Sequence, residues 1–383
     1  MKTVFLLLAF VLSAGVCSFI LPRIILISFK KRLFDNIDER KVHSGIVPRL
    51  GGVAFTPSIV MAMGMLLGLY ILQPEAPRVT TLSASQISLG LCALMLIYLE
   101  GISDDLVGMG YKAKFGCQVL CALMMAGSGF WLNDLHGFLG IHALRWYVGM
   151  PLSALLIVFI INAINLIDGI DGLASGLSMV SAFFLGCLLF KDGDMFSAAM
   201  AFALLGTLVP FFIYNVFGKA DKERKIFMGD CGSQTIGLML GVLAIRFSMR
   251  EPSGSALALG SPAIAFSTIM VPCLDVLRVM LGRIRKKKSP FQPDTTHIHH
   301  KFLKLGMSHR TAMICIIMLD VFFVLLNLGL VGTFDINLII FIDIVIWCVM
   351  QIWLSRLIVH RKRISERLGE DGRTAEPNKN ERI

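Results

Sequence analysis

Asp104 and Asp105 stand side by side at the end of an apolar run, four residues after Glu100. Carboxylates there face the negative end of a helix dipole and repel each other. Such a pair is stable beside a cation or a cationic substrate group, or as a solvated loop pair partnered by Lys112 and Lys114. A second cluster closes another apolar run. Asn162, Asn165 and Asp168 step by three, so a helix would put them on one face, and Asp168-Gly169 and Asp171-Gly172 then break that helix. An Asx-Gly turn accounts for the glycines but not for the amides leading into them. An EF-hand is excluded, because the third position from Asp168 is Ile170 and the twelfth is Met179.

Phe227-Met-Gly-Asp230-Cys-Gly-Ser233 follows the basic stretch from Lys219 to Lys225. By itself it reads as a flexible backbone with one carboxylate near a helix start, or as an ordinary capped loop. The fourth cluster runs from Arg283 to Lys288, through Ser289-Pro-Phe-Gln-Pro-Asp294, to His297, His299 and His300. No Cys or further His stands at zinc-finger spacing. A basic run beside a membrane can simply meet anionic lipid, whereas histidines among Lys and Arg suit an anionic partner by donating to phosphate. Together the carboxylates and amides offer hard oxygen ligands of the kind Mg²⁺ takes alongside substrate phosphates. The basic and histidine groups suit the phosphates. The chemistry described is magnesium-dependent phosphoryl transfer, with a lipid as one substrate.

The elements that must hold these clusters are membrane helices. The chain is 56% hydrophobic and 16% charged, with a mean hydropathy of +0.75. A soluble domain has about 45–50% apolar and about 25% charged residues. Eleven apolar blocks are visible, at 4–27, 52–72, 87–100, 116–131, 146–163, 173–190, 195–217, 235–246, 263–282, 310–331 and 336–358. The third and eighth are short and need polar neighbours to reach across, so ten or eleven spans are expected. Lipid leaves helices as the plausible spanning element. The first block is too long for a signal-peptide core and reads as a retained span. With the N-terminus outside, 28 of the 36 Lys and Arg residues fall on the cytoplasmic side, and so do all four polar clusters. The fold class is therefore an all-α polytopic bundle with a cytoplasmic C-terminus. It has one transmembrane domain over 1–359 and a charged tail over 360–383 expected to be disordered. The nine cysteines show no zinc or disulfide spacing.

With these motifs in view, the chain resembles the polyprenyl-phosphate N-acetylhexosamine-1-phosphate transferase family, in the branch using UDP-N-acetylglucosamine. The resemblance runs from about Lys41 to His309. It rests on Pro48-Arg49-Leu50-Gly51-Gly52, Asp104-Asp105, Lys114 with Gln118, the run from Asn162 to Gly176, Phe227 to Ser233, Pro272 with Asp275, and His297 to His300, in that order. It implies Asn165 and Asp230 as ligands of Mg²⁺, with Mn²⁺ as a substitute. Gly169 and Asp171 are implied as uracil contacts with Phe227 stacked on the ring, Lys114 as a pyrophosphate contact and Arg49 as a further substrate contact. Asp104 and Asp105 would lie near the lipid phosphate and metal, Asp168 would be an essential carboxylate, and His297, His299 and His300 would belong to a lid. The implied partners are a UDP-N-acetylhexosamine, undecaprenyl phosphate, the inner membrane and a second copy of the chain, with no nucleic acid. The implied reaction starts a cell-envelope glycan. Ile298 interrupts the three adjacent histidines found in the peptidoglycan branch, and Cys231 replaces a frequent Thr or Ser. A proton-taking and an orienting role for Asp104 are both open, as are direct attack and a covalent aspartyl intermediate. A transporter would account for the intramembrane acids Asp275, Asp320 and Asp343, with Asp275 and Arg278 satisfying each other, but would leave the polar clusters unexplained.

Overall fold

In the computed structural model, residues 2–33, 47–71, 83–249, 261–289 and 296–373 are described. The segment 290–295, with most of the Pro-rich part of the fourth cluster, and Lys41 lie outside them. Every apolar block forms helix. In chain order these are α1 (Lys2–Lys31), α2 (Phe55–Ile71), α3 (Ala84–Val107), α4 (Tyr111–Gly127), α5 (Trp146–Ile167), α6 (Leu173–Lys191), α7 (Met195–Phe212), α8 (Gly229–Ser248), α9 (Ser261–Ser267), α10 (Met270–Arg285), α11 (Ile298–Lys304), α12 (His309–Leu330) and α13 (Ile336–Arg373). Among the described residues, nine helices are long and apolar enough to cross a membrane; α4, with 17 residues, and the split α9–α10 are not among them.

The two short blocks are long helices. The third extends to 24 residues and the eighth to 20, because polar residues continue each helix at the end that carries the acidic clusters. Helix α8 lies at the centre. Of those nine helices it is the least hydropathic and the most buried, with 94% of its apolar window inside the protein. Its Ser233, Gln234 and Thr235 face other helices rather than lipid, which is where a polar residue in a span is tolerated. Small residues bring its neighbours close. A Cβ on Gly237 would meet the Ile161 backbone of α5, and one on Gly101 would strike the Cys231 backbone from α3. Helix α1 turns Ala9, Ser13, Cys17, Leu21 and Ile25 toward the bundle, while Leu7 and Phe19 stay exposed for lipid.

The ninth block is broken at Thr268-Ile269 rather than continuous. Pro272 has no N–H for the carbonyl of Thr268, and that carbonyl accepts from the Ser181 hydroxyl of α6 instead. One departure from an all-α chain is a hairpin of β1 (Asp134–Phe138) and β2 (Ile141–Ala143). Leu139 and Gly140 at its tip both have positive φ, as a two-residue hairpin turn of the primed type requires. His136 Nε2 meets the Ser248 carbonyl at 3.1 Å, and the Asn337 side chain holds the hairpin through Leu139 N and Gly137 O. These contacts gather the hairpin, the end of α8 and the start of α13 at one end of the bundle. At the tail, helix continues through Arg373 where disorder was expected from 360; a helix already nucleated gains one hydrogen bond per residue added. Residues 374–383 lie outside the described ones.

Candidate active site

The four polar clusters, as far as they are described, meet at the opposite end. Asp104 and Asp105 occupy the last turn of α3 and have different neighbours. Both oxygens of Asp105 accept backbone N–H groups at the start of α8, from Asp230 at 2.8 Å and Cys231 at 3.0 Å. A carboxylate on free N–H groups at a helix N-terminus is a cap, here supplied by another helix. Asp104 accepts from Met109 N at 2.7 Å and from Lys114 Nζ at 3.0 Å. Lys114 also binds the carboxylate of Asp230. The other oxygen of Asp230 accepts from Asn165 Nδ2 at 2.6 Å, and the same amide reaches Ser233 Oγ at 2.8 Å. Lys114 thus bridges the carboxylates of Asp104 and Asp230.

Gly229 lies at φ +73° against Arg49 O and Asp105, where no side chain fits. The segment before it is held by Pro48 to Gly52: Phe227 N donates to Pro48 O at 2.8 Å, Gly51 N to Phe227 O at 2.9 Å and Gly52 N to Met228 O at 2.8 Å. That ladder aims Phe227 into the site. The loop after α5 is fixed by Asn215, whose Oδ1 accepts from Gly172 N at 2.6 Å and whose Nδ2 donates to Ile226 O at 2.9 Å. Asn215 sits in a π-helical turn, Ile213–Phe217, that follows α7. Lys225 donates to Asp171 Oδ2 at 2.5 Å and lies 5.6 Å from the Phe227 ring centre. Asp168 is open to solvent beside them.

The histidines stand on α11 and its start. His297 Nδ1 pairs with Asp275 Oδ2 at 2.9 Å, while Ile298 N and Arg278 Nη2 donate to Asp275 Oδ1 at 3.0 and 2.7 Å. The Asp275–Arg278 pair expected from spacing is thus present and also anchors the histidine helix. His299 is 2% exposed, and its ring covers Gly169 so closely that a Cβ there would overlap it. Burial, helped by neighbouring His300, pushes its pKa down to about 3, so the ring is neutral. Its Nδ1 is buried with no partner among the described residues. Asp343 pairs with Asn327 across α12 and α13, and Asp320 is wholly buried in α12.

Arg49, Asp104, Asp105, Asn165, Asp168, Gly169, Asp171, Phe227 and Asp230 line one cavity of about 570 Å³, within the size range of small-molecule sites. Lys114 is joined to two of these residues, whereas His297, His299 and His300 are not on the wall. His309 is, and neither it nor Asn215 and Lys225 was singled out from sequence. A lone Asn ending an apolar helix was the one available sign for Asn215. Below the floor, Asn162 donates to Gln118 at 2.7 Å and Gln118 to Gln234 at 2.9 Å, beside buried Glu100. Among the described residues no three His, Cys, Asp or Glu side chains form a metal cage. Mg²⁺ seldom uses one, binding through one or two carboxylates and substrate phosphates. Asp104 and Asp230 already share one cation, the Lys114 ammonium, and with the Asn165 amide they form a hard donor set that fits the ion.

Residues 87–248 match the profile of glycosyl transferase family 4. The chain is 30% identical over 292 residues to the undecaprenyl-phosphate alpha-N-acetylglucosaminyl 1-phosphate transferase of Yersinia pestis, covering 76% of this chain and 74% of that protein. It is 31% identical over 292 residues to the protein of the same name from Pasteurella multocida, covering 76% of each. Against that of Escherichia coli K12 it is 29% identical over 293 residues, covering 75% and 73%.

Proposed function

Because this chain belongs to the undecaprenyl-phosphate N-acetylglucosamine 1-phosphate transferase family, we propose that it moves N-acetylglucosamine 1-phosphate from the UDP-sugar to undecaprenyl phosphate. UMP is released, and the site works at the cytoplasmic face of the inner membrane. The observation that carries this reading is the meeting of Asp104, Lys114, Asn165 and Asp230 with Asp171 and Phe227 around one cavity at the end of the bundle to which the basic loops belong. We count α4 and the split α9–α10 as crossings, giving eleven spans with the N-terminus outside.

A phosphate monoester has a second pKa of about 6, so the lipid phosphate is largely a dianion at pH 7 and needs no strong base. Its oxygen attacks the phosphorus next to the sugar, and the bond from that phosphorus to the oxygen of UMP breaks. Catalysis is then positioning and charge neutralisation. Asp171 and Phe227 hold the uridine end, Lys114 meets the diphosphate, and Asp104 orients the incoming lipid phosphate. Asp104, Asn165 and Asp230 would hold Mg²⁺, which supplies charge neutralisation at the phosphates when bound. The neutral ring of His299, packed on Gly169, supports a role in holding the loop that carries Asp168 and Asp171. Asp105, with both oxygens on the α8 amides, keeps Asp230 in place.

The test is transfer of labelled sugar phosphate to undecaprenyl phosphate in purified membranes, with UDP-N-acetylglucosamine, UDP-N-acetylgalactosamine and UDP-N-acetylmuramoyl-pentapeptide as rival donors and UMP release measured alongside. The expected result is lipid-linked label and UMP in equal amounts from UDP-N-acetylglucosamine in magnesium, with chelator abolishing both. Label that appears from none of the donors would overturn the reading.

A further inference from the structure

Away from the cavity, α11 packs on the far part of α13, and a groove of about 640 Å³ opens between them. Its polar lining includes Lys301 from α11 and Arg356, His360 and Arg363 from α13; among the described residues no carboxylate lines it. The three α13 residues stand at i, i+4 and i+7, so they form one stripe on the helix. Lys301 Nζ donates to Gln351 Oε1 at 2.7 Å and to Ser355 Oγ at 3.0 Å, which fastens α11 to α13 at the head of that stripe. Ile352 and Val359 also border the groove and are 54% and 50% exposed. Between Asp343 and Arg356 the helix has no charged residue. Arg356 therefore marks where α13 leaves hydrocarbon for the headgroup layer.

We infer that this groove seats the phosphate of an anionic phospholipid, with an acyl chain along Ile352 and Val359, and that its occupancy steadies α11, the helix carrying His299 and His300. The cationic stripe supplies the sign of the ligand, since basic pockets between helices at this level suit anionic headgroups. The exposed aliphatic edge supplies the source. A free phosphate would use the cations and make no contact with Ile352 and Val359, whereas a phospholipid uses both. The coupling follows from Lys301, which stands one residue after His300 and joins the groove to the helix that covers Gly169. None of this depends on which group the active site transfers.

The experiment uses the full chain in uncharged detergent, with lipid binding followed by native mass spectrometry and amide hydrogen exchange read over 298–304. Phosphatidylglycerol should bind in preference to phosphatidylcholine and slow exchange in that segment, and millimolar inorganic phosphate should do neither. Arg356→Gln with Arg363→Gln should weaken phosphatidylglycerol binding roughly thirtyfold, at about one cation's contribution each, and remove the protection. Arg356→Lys with Arg363→Lys should keep most of both. Equal binding of the two lipids, or equal protection by inorganic phosphate, would overturn the lipid assignment without recourse to any variant. Undiminished phosphatidylglycerol binding by the glutamine pair would overturn the site, and lipid binding without slower exchange over 298–304 would overturn the coupling.

Discussion

Asp230 gives one oxygen to Asn165 and the other to Lys114, while Asp105 gives both to backbone N–H groups. Their substitutions should therefore fail differently. Asp230→Asn should lower turnover on the order of 10²–10³-fold, as removal of a group that organises transition-state charge does, and should blunt the response to magnesium. Asp105→Asn keeps one acceptor and should instead cost about 1–2 kcal/mol of stability, the scale of a lost cap. A magnesium titration and thermal melts of both variants check this; near-normal turnover of Asp230→Asn would refute the metal assignment. The residue types were legible in the sequence, but the division of labour between Asp104 and Asp105 was not. Adjacent residues on a helix point in different directions, and the amides that claim Asp105 come from more than a hundred residues along the chain. His299 carries a pH prediction. Its folded pKa of about 3 lies below the ordinary value of 6.5, so the unfolded chain binds the proton more readily. The stability it contributes is full above pH 6.5 and is lost as pH falls toward 3. Between pH 6.5 and 5 the loss should be about 2 kcal/mol. Melting curves should show His299→Gln declining less steeply over that interval; parallel curves would contradict it.

Among elements, α10 and α11 act as a pair through Asp275. Asp275→Ala would leave His297, Ile298 N and part of Arg278 without their acceptor, a change that costs about 3–5 kcal/mol when a buried pair is broken. Turnover should fall although all three histidines remain, and exchange over 298–304 should quicken. Unchanged exchange would show that something else holds α11. Spacing made the Asp275–Arg278 pair visible, because three residues along a helix is a neighbour relation. The link to His297 was not visible, since it crosses a loop and depends on where α11 returns. The same limit applies to the break at Thr268. Pro272 announced a lost hydrogen bond, but only Ser181, from a helix far earlier in the chain, explains why the break is stable there. For α3 and α8, hydropathy found the apolar middle and missed the polar ends, because a residue facing the bundle need not be apolar.

For the molecule as a whole, the distribution of Lys and Arg announced which loops belong together, and they meet around one cavity. Its sidedness can be measured. In a protein whose exposed Cys92 and Cys348 are replaced by Ser, Leu139→Cys on the hairpin and Lys222→Cys on the loop before α8 should lie on opposite faces. An impermeant maleimide applied from outside should label the first at least tenfold more than the second, an order-of-magnitude expectation from the charge rule. The reverse pattern would invert the topology.

Helix α8 also bears on how the chain is made. Among the nine helices long and apolar enough to cross by themselves it is the least hydropathic and the most enclosed, so it gains little from lipid by itself. The helices it packs on most extensively, α3 and α5, precede it in the chain and leave the ribosome before it. Asp230 heads that helix, and Asp104, Lys114 and Asn165 wait for it on the earlier ones. The charge cluster is therefore complete only once α8 has packed against them, and a chain that ends before α8 has three of its members and no site.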